Sequence, residues 1–229
     1  EFQDLERQFE NANNPFDGVD IGDKSSPTFV DIDNDGDFDA FIGEDDGTIN
    51  YYMNIGSNVI ATFAEQTGAN NPLDGVDVGF RGKPAFVDID NDGDLDAFIS
   101  ETYGTTKYYK NTGTNSAPIL TEQTGTNNPF DGISVGPRII ITFVDIDNDS
   151  DFDTFFGEDD GTIHYYQNTG TNAAPTFAEQ TGADNPFDGV DVSYMSSPTF
   201  VDIDSDGDLM LSLEHFMVTS DILRIQEQM

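Results

Sequence analysis

Short stretches in which apolar and polar residues alternate recur along the whole chain, and a period of two argues for strands over helices. PTFVDID (27–33) alternates in this way, and FDAFIGE (38–44) follows a run of aspartates. The Asp-Asp-Gly at 45–47 supplies the positive φ of a tight hairpin turn, and TINYYMN (48–54) and ATFAEQT (61–67) make two further strands. GANNPLDGVDVG (68–79) is rich in Asn, Gly, Pro and Asp and reads as a long connection. One unit is thus about four antiparallel strands.

The unit is repeated. DIDNDGDFD starts at 31, DIDNDGDLD at 88, DIDNDSDFD at 145 and DIDSDGDL at 202, a constant step of 57 residues. NNPFDG at 13 returns as NNPLDG at 70, NNPFDG at 127 and DNPFDG at 184 with the same step, as do the tyrosine pairs at 51, 108 and 165. The expected fold is all-β: one domain, 1–229, forming a β-propeller of four 57-residue, four-stranded blades. The units run at about 19–75, 76–132, 133–189 and 190–229, and a solenoid of stacked sheets is the alternative. QFENANNPFDG (8–18) matches the end of a unit, not its beginning. Residues 8–18 are therefore expected as an outermost strand that completes the last blade and closes the ring without an unpaired edge.

Composition narrows the partners. Of 229 residues, 45 are acidic and 8 basic, a net charge of −37, so nucleic acid and anionic membrane surfaces are repelled. With 36% hydrophobic residues a core can still form. There are no cysteines, which excludes disulfides, thiolate metal sites and cysteine nucleophiles. No apolar run approaches membrane-spanning length, so no membrane insertion is expected. The expected location is extracellular or at the cell surface.

Within that acidic chain the aspartates are concentrated where repulsion is worst, five of them in the nine positions 31–39. A hard divalent cation with oxygen ligands offsets such a cluster, and calcium tolerates six to eight of them in flexible geometry, where magnesium demands a stricter octahedron. Asp31, Asp33 and Asp35 are expected to supply carboxylates, Asp37 its backbone carbonyl and Asp39 a closing carboxylate, with Gly36 permitting the turn. The second unit repeats the set without loss as Asp88, Asp90, Asp92, Asp94 and Asp96. The third keeps Asp145, Asp147, Asp149, Asp151 and Asp153 but has Ser150 for the glycine, so strain of about 1 kcal/mol and weaker binding are expected if that position takes positive φ. The fourth keeps Asp202, Asp204, Asp206 and Asp208 but has Met210 where the closing carboxylate belongs. Three good calcium sites and a weakened fourth follow. An EF-hand begins similarly but needs a Glu at position twelve, here Ile42, and flanking helices in place of strands. A merely solvated acidic surface would not keep so fixed a register.

At these residues the chain resembles the FG-GAP family of integrin α-subunit propellers, and more closely the bacterial VCBS-type repeats of secreted proteins. The resemblance covers residues 9–209 and rests on D-x-D-x-D-G-x-x-D between two strands, with Phe41-Ile42-Gly43 at the family's Phe-Gly element. The Gly-Ala-Pro part is missing, replaced by Glu44-Asp45. The resemblance implies propeller blades with calcium in the loop joining the first two strands. Such propellers usually have seven blades, and four units are counted here.

The fourth unit stops repeating after Leu209, where MLSLEHFMVTSDILRIQEQM replaces the pattern. Loss of one base after the Leu209 codon explains it, because the restored frame can read DAFIGTFYGNIRYFKNTGT, with the missing aspartate, the hairpin glycine and a strand tyrosine. Residues 210–229 are thus read as a frameshifted tail. The fourth blade is expected to be defective, rearranged or completed by a neighbouring molecule, so a homo-oligomer through that blade is one expected outcome. MLSL can pass as a strand, and SDILRIQEQM carries a mild helical pattern with Ser220 or Asp221 as N-cap.

Nothing assembles a catalytic centre. His164 sits at a variable strand position, His215 lies in the tail, and Glu44, Glu101 and Glu158 recur symmetrically as a scaffold would show, although paired carboxylates could hydrolyse glycosides. No enzyme is expected. The NNPFDG connections should cluster at one end and expose Phe16, Leu73, Phe130 and Phe187. One tyrosine of each pair should be core, and the other is free to stack on a sugar. The expected function is a calcium-binding extracellular module for adhesion or ligand binding, its partner a protein or a glycan; a lectin-like or carbohydrate-active domain is the alternative.

Overall fold

The computed structural model describes residues 14–57, 60–192, 194–202, 209–214 and 221–224, with the backbone alone at 213–214 and 221–224. All of the described sheets are antiparallel. The first holds β1 (Ser26–Val30), β2 (Asp39–Gly43), β3 (Ile49–Asn54) and β4 (Phe63–Gln66), hydrogen-bonded in that order. The second repeats it with β5 (Lys83–Val87), β6 (Asp96–Ser100), β7 (Thr106–Asn111) and β8 (Leu120–Gln123). The third uses β9 (Ile140–Val144), β10 (Asp153–Gly157), β11 (Ile163–Asn168) and β12 (Phe177–Gln180). The fourth has three described strands, β13 (Ser197–Val201), β14 (Met210–Glu214) and β15 (Asp221–Arg224).

In the first unit β1 ends at Val30, three residues short of PTFVDID, because the Asp31 carboxylate turns the chain by accepting the N–H groups of Asp35 and Gly36. The second strands, β2, β6 and β10, are buried at every position. They are central in their sheets, and both faces are covered by other parts of the fold, which is why DAFIG, DAFIS and DTFFG read as nearly continuous apolar runs.

The first strands of successive sheets lie side by side, β1 against β5, β5 against β9 and β9 against β13. Thr28 Oγ1 donates across this seam to Pro84 O at 2.6 Å, and Thr142 Oγ1 to Pro198 O at 2.7 Å. Ala85 has no hydroxyl for the middle seam, and there the Lys83 ammonium reaches across to the carbonyls of Arg138 and Ile139 at 3.3 and 3.2 Å. Burial pulls that amine down to about 8.

Three separate cores fill the spaces between neighbouring sheets. Phe41, Tyr51 and Leu73 of the first unit meet Ala97, Ile99 and Tyr109 of the second. Phe98, Tyr108 and Phe130 meet Ile141, Phe156 and Tyr166. Phe155, Tyr165 and Phe187 meet Leu211. The tyrosine pairs do send one ring to each face, but the second ring is not free: Tyr52, Tyr109 and Tyr166 are 4–8% exposed, as hidden as their partners. Each of these tyrosines has a neighbouring sheet or a connecting segment over its ring. Sugar stacking on these rings is therefore ruled out.

The NNPFDG connections also differ from expectation. Leu73, Phe130 and Phe187 are buried, at 1, 2 and 4% exposure, and Phe16 is half-buried on Tyr52 and Phe63. Leu73, Phe130 and Phe187 each fill the space between two sheets. The preceding asparagine is committed too: Asn71 Nδ2 donates to Ile49 O and its Oδ1 accepts from Leu73 N–H, so the motif is a structural clip.

The N-terminal strand falls largely outside the description. Residues 14–18 form a turn, and residues 6–9, one repeat step before β4, are among those not described. In the tail, Asp221–Arg224 is a strand where a helical pattern suggested a helix. Ile222 and Leu223 pair with Ser212 and Leu211, as Tyr51 and Tyr52 pair with Phe41 and Ala40. The unpaired edge of β14 supplies backbone partners that a short isolated helix lacks. Ser212 stands where the other sheets place Phe41, Phe98 and Phe155, so this sheet lacks its central aromatic.

Candidate metal centre

The β1–β2 connections place the aspartates, and the second and third copies follow the first. Asp31 fixes each loop from its first position: its two oxygens accept Asp35 N–H and Gly36 N–H, both at 3.1 Å, while Asp35 Oδ1 accepts Asp37 N–H at 3.1 Å. Asp88 and Asp145 hold their loops through the same bonds at 2.9–3.1 Å. Two residues per loop take the left-handed conformation. Asn34, Asn91 and Asn148 have φ of 54–57°, which asparagine tolerates, and two positions on stand Gly36 and Gly93 at 97° and 95°.

Ser150 occupies that second position with φ of 77°, so the strain foreseen from its side chain is present. A Cβ at Gly36 would meet nothing within 4 Å, which makes the requirement purely conformational. Ser150→Gly is expected to raise stability by about 1 kcal/mol. Urea unfolding of the metal-free protein checks it, and an unchanged midpoint refutes it.

This geometry brings together Asp31, Asp33 and Asp35, then Asp88, Asp90 and Asp92, then Asp145, Asp147 and Asp149, each trio with oxygens within 4.8 Å of one another. Each is a group that could hold a metal ion. Asp33 Oδ1, Asp37 Oδ1, Asp90 Oδ1 and Asp151 Oδ1 are hidden from solvent without any hydrogen-bond partner. Hidden carboxylate oxygens without donors are costly, and an oxygen-seeking cation satisfies them, so the residues present fit calcium. Burial, then repulsion from Asp35, pushes the Asp33 carboxyl up, and burial followed by Asp149 lifts Asp151 to about 6.

The fifth aspartate of each loop has a further task. Asp39 opens β2, and its oxygens accept the Tyr51 hydroxyl at 2.8 Å and the Asn54 N–H at 2.7 Å. Asp96 does the same with Tyr108 and Asn111, and Asp153 with Tyr165 and Asn168. Burial is the main cause that lifts these carboxyls, to about 6 for Asp39 and about 7 for Asp96 and Asp153. They lie outside the three clustered trios, as do Asp37, Asp94 and Asp151. Met210 takes the same place in the fourth sheet, pairing with Val201 as Asp39 pairs with Val30. Asp202 is described there, whereas Asp204, Asp206 and Asp208 lie outside the described residues.

Two features escaped the sequence. The β3–β4 type connections lean on the aspartate loops, since Asn115 Nδ2 donates to Gly93 O and Asn172 Nδ2 to Ser150 O. Lys110 on β7 reaches into the second loop and contacts Asp90. The recurring glutamates serve turns: Glu101 accepts the N–H groups of Tyr103 and Thr105, and Glu158 accepts Gly136 N–H. His164 stands half-buried between Glu158 at 2.8 Å and Glu179 at 3.1 Å.

No protein-family profile matches the chain, and no curated protein matches it either. Among solved structures, it is similar to an Agrocybe aegerita lectin studied for specific recognition of non-reducing terminal N-acetylglucosamine. That similarity has a TM-score of 0.51 at 17% identity and covers 83% of this chain and 49% of the lectin chain. A second similarity is to the Photorhabdus luminescens Tc holotoxin pore, with a TM-score of 0.44 at 16% identity over 86% of this chain and 9% of that one. The chain thus spans about half of the lectin chain and a small part of the toxin chain. At this identity the lectin supports the all-β architecture alone. Among the described residues no helix is long and apolar enough to cross a membrane.

Proposed function

We propose that the chain is a calcium-stabilised carbohydrate-binding module, its four units arranged as a closed propeller of the FG-GAP or VCBS kind and working outside the cell. The observation that carries the metal part is the set of hidden, partnerless carboxylate oxygens in the recurring loops. Asp31, Asp33 and Asp35, with their counterparts in the next two units, would hold the ions, and Asp37 and Asp39 would close the first loop. Bound calcium supplies the positive charge that lets adjacent carboxylates stay ionised.

The carbohydrate part is supported by fold likeness to a lectin that recognises non-reducing terminal N-acetylglucosamine. The ligand-facing end would be the one that carries the aspartate loops. Phe38 is 64% exposed within the first loop, and Ile55 and Ile119 are 61% and 60% exposed on the adjoining connections. At the opposite end the NNPFDG side chains are used for packing. With its glutamates tied to turns and His164 to two carboxylates, this reading assigns the chain no catalytic role.

A glycan array rich in terminal N-acetylglucosamine, run with millimolar calcium and again with EDTA, tests the assignment. Binding in calcium that disappears in EDTA is expected. A blank array in calcium discards the carbohydrate reading and leaves an adhesion module with a protein partner, which the exposed apolar residues at the same end would also suit.

A further inference from the structure

The three aspartate loops are nearly identical in sequence, and the second, complete with Gly93, matches the first in every aspartate and in its glycine. One side chain makes it different. Lys110 lies on β7, at the repeat position held by Met53 on β3 and Gln167 on β11. Its ammonium contacts the Asp90 carboxylate and lies 3.2 Å from Asp92 Oδ2. In the third loop Gln167 Nε2 donates to Asp147 Oδ2 at 2.9 Å, a neutral contact, and in the first loop Met53 offers no charge at all. The Asp90 side chain is only 12% exposed, so its attraction to the ammonium is less screened than that of a surface pair.

We infer that Lys110 is a built-in counter-ion of the second loop, which competes with a divalent cation for Asp90 and Asp92 and makes this loop a weaker metal site than the first. The inference rests on the reading of the loops as calcium sites. A divalent ion needs the oxygens that the ammonium covers, and a positive charge left beside it repels it. The lysine stem is long and flexible, so the ammonium can leave and the loop is weakened, not abolished. Asp90 Oδ1 stays without a hydrogen-bond partner even beside Lys110, so one charge does not satisfy the cluster and room for competition remains. In the absence of metal the same contact favours this loop, whose neighbours have no cation of their own among the described ion pairs.

The amide resonances of Gly36, Gly93 and Ser150 report the three loops separately during a calcium titration of the whole chain by heteronuclear NMR. In the unaltered protein Gly93 is expected to move at calcium concentrations at least tenfold higher than Gly36. Lys110→Met, which installs the residue the first unit already accommodates, is expected to bring the Gly93 midpoint to that of Gly36. Lys110→Gln, copying the third unit, is expected to do nearly the same. Gly93 and Gly36 titrating together in the unaltered protein, or a Gly93 midpoint unmoved by both substitutions, overturns the inference while the calcium reading stands. If none of the three amides responds to calcium, the calcium reading fails first, and the inference with it.

Discussion

Excess EDTA at pH 8 is expected to lower the melting temperature of the protein by about 10–20 °C relative to millimolar calcium. Each ion that binds only the folded chain stabilises it by about 2.7 kcal/mol at a hundredfold excess over its dissociation constant. Counting only the two loops that carry no lysine gives about 5 kcal/mol, and at this chain length each kcal/mol moves the midpoint by about 2–4 °C. The effect should depend on pH in a direction set by Asp39, Asp96 and Asp153. Their carboxyls are lifted to about 6, 7 and 7 in the metal-free fold, so the folded state binds protons more tightly than the unfolded chain does. That contribution is complete below the ordinary carboxyl value and is lost as pH rises through 6 to 7. Metal-free protein should therefore melt higher at pH 5 than at pH 8, and the gap to the calcium-loaded protein should widen as pH rises. Scanning calorimetry at both pH values measures this, and a melting curve that ignores EDTA at pH 8 removes the structural role of the metal.

The residues that could be read from sequence are those whose neighbours lie within a few positions. Asp31 bonds the amides four and five residues on, so a nine-residue string holds nearly all the information about its loop. The 57-residue step likewise announces four sheets, and the two-residue period places most of their strands to within a few residues. What escaped depends on one sheet lying against another. Tyr52 looked free because a lone sheet leaves one face open, yet Phe16 and Phe63 lie against it. Lys110 sits on β7, twenty residues beyond the loop residue Asp90, and no local pattern joins the two. The helical pattern in the tail was real as a pattern, but the edge of β14 imposed a strand on Asp221–Arg224. Fold class is thus written locally, and the surfaces left for a ligand are decided by packing between repeats.

Phe130 makes that distinction measurable. It belongs to a connection whose polar composition suggests a binding loop, yet its ring stacks on Phe177 at 4.6 Å and meets Phe98 and Phe156 edge-on at 5.4 and 5.7 Å. Phe98 belongs to the second sheet and Phe156 and Phe177 to the third, so one side chain ties two sheets together. Phe130→Ala removes those contacts and opens a cavity, and is expected to cost about 3–5 kcal/mol, read as a lower urea midpoint in calcium. Phe38→Ala, at an exposed site in the first aspartate loop, is the control and should leave the midpoint within about 0.5 kcal/mol of the parent. The two substitutions separate packing from recognition, because an interior plug changes stability and an exposed contact changes binding. A Phe130→Ala protein as stable as its parent but unable to bind its ligand would return this phenylalanine to a binding surface and place the ligand at the end opposite the aspartates.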